Sequence, residues 1–130
     1  MKIFAAILTM VSLTAVPGWA NGDDPLAEYL WVSRPLVVFA DSEGDPRFQQ
    51  QMGWVEARRA DLEERDVIVL TDVGTEDTAL RTKLRPRGFM IVLIGKDGQV
   101  KLRKPFPWDA RELTRAIDKM PLRQQEMRAR

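Results

Sequence analysis

The chain has 130 residues, enough for one domain. It contains no cysteine and no histidine, which excludes disulfides, thiolate metal sites, sulfur nucleophiles and the usual general base near neutral pH. Its formal net charge is +1, and a balance so close to neutral argues against nucleic acid as a partner.

In chain order, Lys2 precedes a mostly apolar run from Ile3 to Val16, and Pro17-Gly18-Trp19-Ala20 closes it. Gly18 and Ala20 are small residues placed as a signal peptidase requires for a cut after Ala20, so residues 1–20 are expected to be a secretory signal peptide. The run is shorter than the ~20 residues of a spanning helix, and no later stretch is apolar enough to span a membrane. The mature chain is therefore expected to be exported, periplasmic or extracellular. Lipid attachment through an N-terminal cysteine is excluded.

Residues 21–33 read as an N-terminal extension with a short helix, Asp24 capping it and Pro25 at its first position. Leu36–Ala40 is a buried strand by its continuous apolar character. Asp45 then stands where a cap belongs and Pro46 where a helix begins, with Phe48, Met52, Val55 and Leu62 forming one apolar stripe. Gln49–Gln51 are expected on its solvent face. Val67–Leu70 is a second buried strand, and two such strands joined by a helix imply a parallel crossover unit. A short helix over 77–84 ends at Pro86 and Gly88. Phe89–Ile94 is a third strand, Lys96-Asp97-Gly98-Gln99 a hairpin turn, and the alternation of Val100 and Leu102 with Lys101 and Arg103 a half-exposed edge strand. Asp109 with Glu112 resembles a capping box for a last helix carrying Leu113, Ile117 and Met120. The domain is expected to span 34–121, with 122–130 an exposed tail.

The predicted order is β-α-β-α-β-β-α, which periodicity alone takes to a mixed α/β sandwich. Charge along it is uneven. Residues 21–46 hold six acids against Arg34, and residues 81–104 hold eight bases against Asp97. The basic stretch can pair with the protein's own acidic segment.

Two segments resemble thioredoxin. Gly88 to Val100 looks like the segment from its substrate-binding loop through its hairpin, and Val38-Phe39 through Arg47 looks like the strand and loop that carry its redox motif. The mature chain also resembles the domain of unknown function 4174 family, secreted bacterial domains with a thioredoxin- or peroxiredoxin-like fold and relatives in animal sushi-repeat extracellular proteins. Matching residues include Arg34–Ala40, Asp45-Pro46-Arg47, Gln49–Gln51, Glu64-Arg65-Asp66, Leu93–Gly98, Val100–Arg103 and Ile117–Pro121. The resemblance implies a thioredoxin-like three-layer sandwich. It also places Gly44 and Arg47 where the two redox cysteines would be, and Met90 where the cis-proline would be. Thiol-disulfide exchange and thiol peroxidase chemistry need a thiolate, so both are excluded for this chain.

The remaining constellations gather at one end of the sheet. Asp41, Glu43 and Asp45 are three carboxylates on the loop after the first strand. They could offer oxygen ligands to a divalent cation, or they could simply favour the helix N-terminus, Asp45 as its cap. Ser42 has no neighbouring base. Arg85 and Arg87 flank Pro86 on the facing loop, where they could balance Asp41 and Glu43 or border a peptide-binding groove with Phe89 and Met90 near its floor. The expectation is an exported, thiol-free binding or structural module that contacts protein or peptide at the groove between the 41–47 and 85–90 loops. Its candidate residues are Asp41, Ser42, Glu43, Asp45, Arg47, Arg85, Arg87, Phe89 and Met90, with no catalytic residue, metal or cofactor expected. The alternative is a metal-assisted hydrolase using Asp41, Glu43 and Asp45. A degenerate redox protein that binds former substrates without reducing them would share the first reading's site.

Overall fold

A computed structural model describes residues 24–130, so the expected signal segment lies outside the described residues. The apolar run after Arg34 forms strand β1 (Arg34–Ala40), buried along its whole length. Strand β2 (Val67–Val73) lies parallel to it, with Arg34 opposite Val67 and Ala40 opposite Val73. On the other side of β1 runs antiparallel β3 (Met90–Ile94), which carries antiparallel β4 (Val100–Lys104) on its outer edge. The strand order is β2-β1-β3-β4, a mixed sheet with β1 and β3 at its centre.

Successive side chains of a strand point to opposite faces, and β1 shows why this sheet needs cover on both. Leu36, Val38 and Ala40 pack beneath helices α1 (Pro46–Ala57), α2 (Arg59–Glu64) and α4 (Ala110–Asp118), through Met52, Val55, Leu62, Leu113 and Ile117. Val37 and Phe39 pack on the other face with Leu80 and Leu84 of α3 (Ala79–Leu84) and with Leu26 and Tyr29. The result is the three-layer α/β sandwich.

Four local expectations are corrected. The helix expected to run unbroken to Leu62 is interrupted at Arg58, whose φ of −124° and ψ of 25° leave the helical region. The short helix after Asp24 contracts to one 3-10 turn at Ala27–Tyr29, where Asp24 Oδ1 accepts from Leu26 N at 2.9 Å. Asp109 caps α4 by accepting from Arg111 N at 2.8 Å, but Glu112 turns instead to Arg115 at 3.0 Å. The expected tail forms helix α5 (Pro121–Arg128), which starts with Pro121 at its first turn.

Helix α5 escaped the periodicity argument because charge, rather than an apolar stripe, docks it. Arg34, the first residue of β1, is 1% exposed, and its guanidinium donates to both Glu126 carboxylate oxygens at 3.1 and 3.0 Å. Lys96 reaches the same carboxylate at 3.1 Å. Arg123, 2% exposed, lies among Glu64, Asp118 and Glu126 at 3.6 to 3.8 Å. Buried ions persist only with such partners.

Candidate functional site at the carboxyl end of the first strand

The loop after β1 is shaped by its acid and its proline. Asp45, extended at φ −61° and ψ 120°, accepts from Arg47 N at 2.9 Å and so caps α1, with Pro46 fixing the first helical residue. The same carboxylate grips the Arg47 side chain, with Nε at 3.1 Å and Nη2 at 2.8 Å. These hydrogen bonds from Arg47, side chain first and backbone second, lower the Asp45 pKa, and Asp45 raises that of Arg47. Thus held, the guanidinium lies over the Phe89 ring, 5.5 Å from its centre. One arginine therefore joins the 41–47 loop to the 85–90 loop.

The facing loop leaves α3 through Arg85 in a left-handed conformation (φ 49°, ψ 59°), with its N–H bonded to Arg81 O at 2.8 Å. Gly88 turns the chain again at φ 58°. From β4, Arg103 Nη2 donates to Leu84 O at 2.6 Å, satisfying a carbonyl at the helix end. Phe89 is buried, Met90 is half-buried opposite Phe39 of β1, and Arg85 and Arg87 project into solvent. Asp41, Ser42, Glu43 and Arg47 are exposed as well, and Asp45 is half-exposed.

The structure thus brings Asp45, Arg47 and Phe89 together. Among the described residues no ion pair joins Arg85 or Arg87 to Asp41 or Glu43, so the expected charge balance across the gap is not made. Nor are Asp41, Glu43 and Asp45 grouped as a metal site would require, again among the described residues. The Asp45 carboxylate is already engaged by Arg47.

A buried cluster beneath this end was not singled out in the sequence. Asp72, near the end of β2, is 9% exposed and accepts from Arg81 Nε at 3.0 Å and from the Thr78 hydroxyl. Arg81 Nη2 donates to Ala40 O at 3.1 Å and Asp72 O at 3.0 Å, and its guanidinium covers the Phe39 ring at 5.5 Å. Arg81 fixes the ends of β1 and β2 where the candidate loop departs. The available signal was Asp72 itself, an acid in an apolar strand that has to find a cation.

The expected polar face of α1 needs correction too. Gln51 is wholly buried; its amide donates to Trp108 O at 3.0 Å and its carbonyl accepts from Trp108 N at 2.7 Å. The triple glutamine presents Gln49 and Gln50 to solvent and Gln51 to the interior.

With this geometry, a family model described as "Domain of unknown function (DUF4174)" matches residues 25–126. The chain belongs to the DUF4174 family. A curated relative of this DUF4174 chain is coiled-coil domain-containing protein 80 of Danio rerio, 28% identical over 133 aligned residues. The match covers 78% of this chain and 15% of that protein, so the chain spans less than a sixth of its relative's length. Among solved structures, the DUF4174 fold is similar to the reduced 2-Cys peroxiredoxin of Plasmodium vivax, with a TM-score of 0.62, 12% identity and coverage of 77% of this chain and 84% of that one. It is also similar to thioredoxin peroxidase I of Plasmodium yoelii, with a TM-score of 0.53, 15% identity and coverage of 78% and 79%. At such identities the likeness establishes the thioredoxin/peroxiredoxin-like fold alone. In this DUF4174 chain, Gly44 directly precedes the helix cap and Arg47 occupies the second helical position, with no sulfur at either.

Proposed function

We propose that this is an exported, thiol-free binding module that contacts a protein or peptide at the face formed by the 41–47 and 85–90 loops. The observation that carries the reading is the Arg47–Phe89 contact, which holds the two loops as one surface. Around it stand exposed charges of both signs, Asp41 and Glu43 on one loop and Arg85 and Arg87 on the other, which are not spent on each other. A surface that presents exposed charges of both signs favours a partner of complementary pattern. The absence of cysteine leaves recognition, not redox turnover, as the use of this loop pair. The hydrolase alternative lacks a specific supporting observation, since its three carboxylates are not gathered.

The test is site-specific photo-crosslinking from position 90, in place of the half-buried Met90, in the exporting host, followed by identification of the captured species. Capture of one discrete partner, lost when Arg85 and Arg87 are changed to Glu in a protein that folds normally, supports the reading. Capture that survives the charge reversal, or none from a folded and exported protein, rejects it. Export is tested by N-terminal sequencing of the mature form, which should begin at Asn21.

A further inference from the structure

At the end of the sheet opposite the 41–47 loop, a cavity of about 410 Å³ opens between the β3–β4 hairpin, the segment entering β1 and the first turn of α5. Pockets for small ligands run from roughly 300 to 1,000 Å³. Trp31, Met120, Pro121 and Leu122 give it apolar walls. Arg34, Lys96 and Lys101 line it with Asp97, and the first two are already paired with Glu126 and Asp66 behind the wall.

Three features set this cavity apart from an ordinary surface dent. Trp31 is in the left-handed region at φ 62°, an uncommon conformation for a bulky residue. Its N–H is anchored on Lys96 O at 2.8 Å, yet the residue is 68% exposed, so core packing does not account for the position of its ring. Gly95 is buried, and a Cβ there would stand 2.5 Å from Lys101 Cε and 2.7 Å from Asp97 Oδ1. The missing side chain is what lets Lys101 and Asp97 lie across the wall. Met120 offers α5 no side-chain cap, so the positive end of that helix belongs to the same wall.

The three cations are not equivalent. Arg34 is held by the Glu126 carboxylate and Lys96 by Glu126 and Asp66, whereas among the described residues Lys101 meets only Asp97, at 2.9 Å, in a pair with both side chains 30% exposed. Such a pair contributes little and exchanges readily. Lys101 can therefore turn to an incoming anion without leaving a buried charge alone.

We propose that this cavity is a binding site for a small monocarboxylate with an aromatic or alkyl body. The apolar part packs against Trp31, Met120 and Leu122, and the carboxylate displaces Asp97 from Lys101. The site is independent of the face proposed above, which lies at the other end of the sheet.

The experiment is a titration of the purified, isotope-labelled chain with 4-phenylbutyrate, followed by amide and indole NMR shifts, with 4-phenylbutan-1-ol as the neutral comparator. Shifts should cluster at the Trp31 indole, Gly95, Lys96, Leu122 and Gln125 and leave residues 85–90 unmoved. The acid should bind at least about tenfold more tightly than the alcohol, and Lys101→Met should abolish that preference. Should Lys101→Met disturb the hairpin, Leu122→Gln, on the helix wall, should weaken acid and alcohol alike. The proposal is overturned by absence of shifts up to about 10 mM acid, by shifts centred elsewhere, or by equal binding of acid and alcohol. It is also overturned if the cavity shifts appear on raising protein concentration alone, which would make a second copy the occupant.

Discussion

Gln51 and Trp108 are joined by a reciprocal pair of hydrogen bonds, amide to backbone in both directions, at 3.0 and 2.7 Å. The pair fastens α1 to the segment that leads into α4 across the layer covering Leu36 and Val38. Gln51 is wholly buried, and both Trp108 backbone groups find their partner in it. Gln51→Leu keeps much of the volume and removes both bonds. We expect a loss of about 2 kcal/mol, measured as a lower denaturant midpoint with an unchanged slope. A loss within about 0.5 kcal/mol would mean that water serves the two groups equally well.

The buried Asp72–Arg81 pair should behave asymmetrically. Arg81→Leu leaves the Asp72 carboxylate at 9% exposure without its guanidinium, and breaking such a pair from one side costs about 3 kcal/mol or more. The double variant Arg81→Leu with Asp72→Leu should recover part of that loss, since no unpaired charge remains. A double-mutant cycle on unfolding free energies checks the coupling. Simple additivity would remove the pair from the account of this sheet end.

Stability should fall in acid through the docking of α5. Burial raises the Glu126 pKa, but hydrogen bonds and charge from Arg34 and Lys96 outweigh it and bring the carboxyl from 4.5 down to about 2. A folded pKa below the unfolded one gives stabilisation that is complete above about pH 4.5. It declines as pH falls and is lost below about pH 2. Allowing for the solvent reaching this partly exposed group, the contribution is about 2 kcal/mol. Asp118, lowered by its hydrogen bonds from Arg65 against a smaller effect of burial, acts in the same direction. Glu126→Gln should be less stable than the unaltered protein at neutral pH, and the two should converge near pH 2. Parallel pH profiles would show that the carboxylate does not govern docking.

Calcium or magnesium should leave the melting temperature unchanged. A ion that binds only the folded chain must raise it, and Asp41, Glu43 and Asp45 do not converge on one point. A rise abolished by Glu43→Gln would instead revive the metal-assisted reading and show that the loop rearranges around the ion.

The sequence by itself determined the strands, the first capped helix, the hairpin and the exclusion of sulfur chemistry. Each rests on information local to the chain. Leu36–Ala40 is too continuously apolar to lie anywhere but inside, Asp45 caps and Pro46 begins a helix whose apolar stripe follows directly, and a residue type that is missing cannot act. Tertiary structure decided what depends on distant partners. Gln51 is polar in composition and buried because Trp108 presents both of its backbone groups to it. Helix α5 lacks an apolar stripe and forms against the body through Arg34, Lys96 and Glu126. The Arg47–Phe89 contact and the Trp31–Lys101 cavity bring together residues far apart in the chain. Periodicity registers the burial of apolar surface, whereas a buried charge or amide is set by a partner that only the folded chain brings near.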